Sequence, residues 1–190
     1  MNPQAVLDFW FGPPPLAVRS EWFRKDLAFD ERIRALFGAE VDAALDGPLP
    51  GPLSARDTLA HIVLRDQFPR NLFRGQARAF AGDPAALALA QRLIADDGPA
   101  TGHRSLQPLE RWFVYLPLEH AEDLALQDRC VALFQALAAD APGFAEALRY
   151  AEAHRDVIAR FGRFPHRNAA LGRQSTPEEL VYLATPGSGF

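Results

Sequence analysis

The stretch Gly143-Phe144-Ala145-Glu146-Ala147-Leu148-Arg149-Tyr150-Ala151-Glu152-Ala153-His154-Arg155-Asp156-Val157-Ile158-Ala159-Arg160-Phe161-Gly162 decides the fold. Phe144, Ala147, Leu148, Ala151, His154, Ile158 and Phe161 recur at three- and four-residue spacing, which lines them along one face of a helix and excludes a strand of period two. Gly162 stands where a helix C-terminal cap needs left-handed backbone. This segment is expected to be the longest helix of the chain.

Working outward, the same period returns almost everywhere. Pro3 to Phe11 reads as a short apolar helix stopped by Gly12 and Pro13–Pro15. Phe29, Ile33, Leu36, Phe37, Val41 and Ala44 form a second apolar face that ends before Gly47 and Pro48. Ser54 caps a helix running through Leu59, Ile62 and Val63, which Pro69 is expected to close. Asp83-Pro84 opens another, ending near Asp97-Gly98. From Gln107-Pro108 a helical pattern runs to about Ala139, and Pro117 is expected to kink or split it. Thr176-Pro177-Glu178-Glu179 starts a last short helix, followed by a loose tail from residue 186 to 190. No alternating run of Val, Ile and Thr signals a strand. The expectation is an all-α protein of seven or eight helices forming one domain over residues 1–190. No tandem repeat shows the roughly 34-residue period of helical solenoids.

Composition narrows the function. A length of 190 residues with 48% hydrophobic and 23% charged residues fits a globular domain with a sizeable core. The single cysteine, Cys130, cannot form a disulfide within the chain or supply a cysteine zinc site, so a reducing cytoplasm is the expected compartment. No run approaches the roughly 18 apolar residues that a membrane helix needs, and Met1 to Asp8 lacks a basic export region. A net charge of -4 argues against a nucleic-acid partner. The charge is uneven: residues 151–190 carry five basic residues, all arginine, against four acids.

Chemistry is sought where polar residues fall on apolar faces. Asp66 continues the stripe Leu59, Ile62, Val63, with Arg70 in reach four residues on. His120 and Gln127 share a line with Leu124, Val131 and Phe134, and His154 lies inside the stripe that opened this section. Burying such groups costs several kcal/mol unless they find partners. His61, beside Asp57 and Arg65, reads as solvated. Two echoing segments, Gln67-Phe68-Pro69-Arg70-Asn71 and Phe164-Pro165-His166-Arg167-Asn168, both read as chain reversals presenting Arg-Asn. Three readings follow. In the first, a binding domain captures an anionic small molecule or a peptide carboxylate through Arg70, Asn71, Gln127, Arg163, His166, Arg167 and Asn168, with Trp10, Phe68, Phe161 and Phe164 as apolar walls. In the second, an enzyme uses His154 or His120 as general base, oriented by Asp66, with the arginines stabilising negative charge. In the third, the same residues are a structural network in a scaffold for partner proteins, since a core histidine or a buried Asp66–Arg70 ion pair needs no ligand. No metal or other cofactor is expected: His-Glu-x-x-His, phosphate-binding glycine loops and paired Glu-x-x-His are missing.

Several motifs together carry a resemblance. Val6-Leu7-Asp8-Phe9-Trp10-Phe11-Gly12, Asp66-Gln67-Phe68-Pro69-Arg70-Asn71 with Phe73-Arg74, Leu116-Pro117-Leu118-Glu119-His120-Ala121-Glu122, and Arg160-Phe161-Gly162-Arg163-Phe164-Pro165-His166-Arg167-Asn168 with Gly172-Arg173 and Thr176-Pro177-Glu178-Glu179 are similar to the DUF924 family. The resemblance spans nearly the whole chain. It implies an all-helical, tetratricopeptide-like array and leaves the activity open. Where relatives tend to carry serine, this chain has Ala121, which argues against a serine nucleophile there.

Overall fold

The computed structural model describes residues 1–96, 98 and 100–188. Among them no strand occurs, and the helices are α1 (Pro3–Phe11), α2 (Leu27–Asp46), α3 (Ala55–Ile62), α4 (Phe68–Leu72), α5 (Asp83–Ala95), α6 (Pro108–Glu119), α7 (Leu124–Asp140), α8 (Ala145–Phe161) and α9 (Pro177–Leu183). A π turn, Val63–Gln67, joins α3 to α4 without a break, so the described residues hold eight helices when that pair is counted once. The all-α expectation is correct. The longest helix is α2, with 20 residues against 17 for α8.

The chain forms two compact units. The first comprises Met1–Arg74 and Arg78–Leu118, the second Gly75–Ala77 and the residues from Glu119 onward.

The first unit is organised around aromatic rings. Trp10, on α1, lies with its ring centroid 5.7 Å from Trp22, 5.8 Å from Phe29, 5.6 Å from Phe68 and 5.6 Å from Phe113. Each such side chain taken fully from water contributes about 1.5–3 kcal/mol, more where rings meet edge to face. Asp26 caps α2 by accepting from the Ala28 and Phe29 amides, and Ser54 caps α3 by accepting from the Asp57 amide. Pro69 does not close the helix as expected. It is the second residue of α4, inside the continuous run just after the π turn, and Phe68 before it keeps helical backbone (φ -59°, ψ -38°). The first of the two echoing segments is therefore helix, not a reversal. Helix α5 ends at Ala95; the expected stop at Asp97 lies outside the described residues.

Pro117 likewise fails to split its helix. It sits inside α6, which runs on to Glu119, because Val114, Tyr115 and Leu118 around it are buried and their packing outweighs one lost backbone bond. The break falls at residues 120–123, before Asp123 caps α7 through the Leu126 amide.

In the second unit α7 and α8 pack against one another across the short Pro142–Phe144 turn. Gln127, Cys130, Phe134 and Leu137 face inward from α7, and Ala147, Ala151, His154, Val157 and Ile158 from α8. Gly162 ends α8 in left-handed backbone at φ 68°. Here Phe164 is extended (φ -88°, ψ 106°) before Pro165, so the second echoing segment does reverse the chain. Thr176 and Glu179 form a reciprocal capping box at α9.

Candidate functional site: an imidazole and guanidinium cluster around Phe164

Phe164 is fully buried, and polar rings surround it. The His154 ring lies edge-on at 5.6 Å, the His166 ring at 5.5 Å, and the Arg167 guanidinium carbon 4.5 Å over the ring centroid. His120 stands 6.4 Å from His154, ring to ring. The sequence placed these four side chains on three separate segments. The hairpin of α7 and α8 and the turn after Gly162 bring them together.

His154 is 6% exposed, and its Nδ1 is held within the fold. Its Nδ1 lies 2.8 Å from the Tyr150 carbonyl oxygen, one turn back on α8, and 3.2 Å from Glu119 Oε1. Burial lowers its pKa to about 3; the Tyr150 bond opposes this, and the nearby His120, His166 and Arg167 reinforce it. The ring is therefore neutral at physiological pH, and the Glu119 contact is a shared hydrogen bond from Nδ1–H, not an ion pair. That tautomer leaves Nε2 as the acceptor. Cys130, on α7, is buried, and burial together with Glu119 raises its thiol pKa well above the usual range. It remains a thiol and is no nucleophile at neutral pH.

The backbone of Phe164 is clamped at both ends. Its N–H donates to Glu122 Oε1 at 2.8 Å, and its carbonyl accepts from Arg173 Nη2 at 3.1 Å. Arg173 completes the clamp with a two-point contact to Glu122 at 2.6 and 2.9 Å and a bond to Asn168 Oδ1 at 2.9 Å. Gln127 donates from Nε2 to the carbonyls of Glu119 and Ala121 at 2.6 and 2.8 Å, tying down the turn that carries His120. Arg163 grips Glu179 with Nε and Nη2 at 2.6 and 2.8 Å, and Asn168 adds a donor at 3.2 Å. The hydrogen bonds from Arg163 lower the Glu179 pKa to about 2. Gln127, Arg163 and Asn168, expected to touch a ligand, thus hold the chain's own acceptors.

Asp66, Arg70 and Asn71 belong to the first unit and have partners there. Arg70 meets Asp83 with both terminal nitrogens at 2.9 and 3.1 Å and lies 3.2 Å from Asp66. Asn71 donates to Asp30 at 2.7 Å while Arg74 takes the same carboxylate through Nε and Nη2 at 2.8 and 2.9 Å. Burial alone would raise the Asp30 pKa, and those hydrogen bonds outweigh it and lower it. The two Arg-Asn segments therefore share a device: each asparagine helps an arginine hold a buried carboxylate of the chain. His61, expected in solvent, is half-buried against Arg65.

Glu119, Glu122, Cys130 and Glu179 were not singled out from the sequence. Glu119 directly precedes His120 and Glu122 directly follows Ala121 in a distinctive run, and Glu179 ends a capping signature, so those signals were present. The fourfold burial around Phe164 had no sequence signal. A cavity of about 470 Å³ in the first unit, lined by Phe9, Phe11, Arg19 and Arg32, gathers fewer converging polar groups. Arg19 there is engaged by the Phe9 and Trp10 carbonyls, and Arg32 stacks on Phe9. Among the described residues no group of three or more His, Cys, Asp or Glu side chains is placed to hold a metal ion.

An all-helical protein with histidines and an arginine gathered on one buried aromatic ring is the class that fold and site define. The chain belongs to the DUF924 family, described as a bacterial protein of unknown function, whose profile matches residues 6–187. It is similar to a solved structure described as a protein of unknown function, ATU0120, from Agrobacterium tumefaciens: 40% identical, 96% of each chain covered, TM-score 0.80. No curated protein matches. No helix among the described residues is long and apolar enough to cross a membrane.

Proposed function

We propose that the cluster around Phe164 binds an anionic small molecule or a peptide carboxylate, with Arg167 as the principal anchor and His120, His154 and His166 as hydrogen-bonding partners. The observation that carries this is the convergence of a guanidinium and imidazoles on one buried ring: the Arg167 guanidinium carbon lies 4.5 Å over Phe164, and the His154 and His166 rings lie 5.6 and 5.5 Å from it. A guanidinium so placed suits a carboxylate or phosphate. An enzymatic reading, with His154 as general base, is less favoured by the same geometry. A general base works best with a pKa near the working pH, and about 3 leaves Nε2 a weak base.

The test is calorimetric titration of a panel of phosphorylated metabolites, short carboxylic acids and peptides into wild type, Arg167→Met and His154→Gln. Loss of affinity in Arg167→Met, with a smaller loss in His154→Gln, is the expected pattern. Equal affinity for every ligand in wild type and Arg167→Met would sink the assignment.

A further inference from the structure

A second arginine, far from the cluster in sequence, has a different problem. Arg65 lies on the π turn between α3 and α4, a widened stretch in which Arg65, Asp66 and Gln67 are all buried. It is 3% exposed. The turn packs against α1, α2 and α5 within the first unit. The carboxylates on those elements that form contacts serve other side chains: Asp8 accepts from Gln4, Asp30 from Asn71 and Arg74, Asp42 and Asp46 from Arg78, and Asp83 from Arg70. Among the described residues Arg65 has no ion-pair partner. Its one hydrogen bond runs from Nη1 to His61 Nδ1 at 2.8 Å, which uses a neutral imidazole as acceptor. Nε is buried and makes no hydrogen bond. An uncompensated buried cation is among the costlier features a fold can carry.

The idle edge is informative. Arg74 holds Asp30, and Arg163 holds Glu179, through Nε and Nη2. Arg65 presents the same Nε/Nη2 edge, and among the described residues no carboxylate pairs with it.

We infer that Arg65, oriented by His61, is a receptor for a small oxyanion that lies across the Nε/Nη2 edge. Two oxygens of one phosphate or carboxylate match that edge as the side chains of Asp30 and Glu179 match theirs. The little exposure left to Arg65 limits the occupant to a free ion or the terminal group of a larger molecule. The site is independent of the cluster around Phe164, and neither assignment rests on the other.

The experiment is thermal unfolding of the full chain at fixed ionic strength with increasing inorganic phosphate, acetate or glycerol phosphate. Wild type, Arg65→Lys and Arg167→Met are compared. Lysine keeps the charge and removes the fork. The expected result is a saturable rise in Tm, about 5–10 °C at 100 times the dissociation constant, that Arg65→Lys loses and Arg167→Met keeps. Glycerol phosphate acting as well as phosphate would identify the end of a metabolite as the occupant; phosphate alone would identify the free ion. No rise with any probe, or a rise that Arg65→Lys retains, overturns the inference. A rise lost only in Arg167→Met also overturns it, while supporting the other site. Should Arg65→Lys not fold, the Nε–H resonance of Arg65 in wild type decides: it shifts on phosphate titration if the edge is filled and stays fixed if it is not.

Discussion

The guanidinium carbon of Arg167 lies 4.5 Å over the ring of Phe164, and the backbone of Phe164 is held by Glu122 at its N–H and by Arg173 at its carbonyl. Phe164 is thus both the platform for the arginine and a fixed point of the turn. Truncating it should remove both functions. Phe164→Ala is expected to destabilise by about 3–5 kcal/mol, as for other buried aromatic residues. Arg167→Met, which keeps much of the apolar contact, should cost no more than about 2 kcal/mol. Urea unfolding of the two variants checks the ordering; a larger loss for Arg167→Met would show that the arginine is chiefly structural.

His154 predicts an acid limb of the stability curve. In the unfolded chain it titrates near its ordinary value of 6.5, and in the fold only at about 3. Between those values the unfolded chain holds more protons, so stability rises with pH across the window and is lost as pH falls through it. About 2 kcal/mol should disappear between pH 7 and pH 5. Glu119, His120, His166, Arg167 and the Tyr150 carbonyl face the ring and set the size of the effect. His154→Gln should flatten this part of the curve in urea melts at pH 7, 6 and 5; an unchanged slope would assign it to other groups.

Glu179 predicts a separate, more acidic window. Its folded pKa of about 2 lies below the ordinary 4.5, so its contribution is fully present above pH 5 and fades as pH falls toward 2. Glu179→Gln should be less stable than wild type at pH 7, and the two should converge by pH 2. A constant difference across this range would contradict the assignment.

The paired asparagines give a symmetrical test. Asn71→Ala and Asn168→Ala each leave a carboxylate held by an arginine with one donor fewer, at an expected cost of about 1–3 kcal/mol. Asn168→Asp should cost more than Asn168→Ala, because it sets a second carboxylate against Glu179. Chemical denaturation midpoints decide the order.

Gly82→Ala tests the close approach beneath Arg65. The added Cβ would meet a backbone oxygen of the π turn at 2.1 Å, and that oxygen cannot swing aside as a side chain would. A loss of about 1–3 kcal/mol is expected. A neutral substitution would mean that α5 shifts freely against the turn.

How much was legible beforehand differs from residue to residue. The apolar stripe ending in His154 correctly set that histidine inside α8, because helical period alone fixes which side of a helix faces inward. Gly162 was readable as a cap for the same local reason. Pro69 was misread as a stop, and Pro117, expected to kink or split its helix, does not split it: their penalties are local and a few kcal/mol, and the buried neighbours of each helix outweigh them. The asparagines of the two echoing segments were legible as a pair, but their carboxylates were not. Asp30 lies 41 residues from Asn71, and Glu179 lies 11 from Asn168, distances over which no periodicity operates.

By itself, the sequence determined the all-α class, most helix boundaries, the caps at Ser54, Gly162 and Thr176, and the inward direction of Asp66, Gln127 and His154, since these depend on spacing and on the chemistry of adjacent residues. Only the tertiary structure decided what each arginine packs against. Arg70, Arg163 and Arg173 meet carboxylates of the chain, Arg167 meets an aromatic ring, and Arg65 meets a neutral histidine. All five are one residue type in a sequence whose basic residues are almost all arginine, and what separates them is the partner that packing brings against each, a property of folded distance that sequence order does not encode.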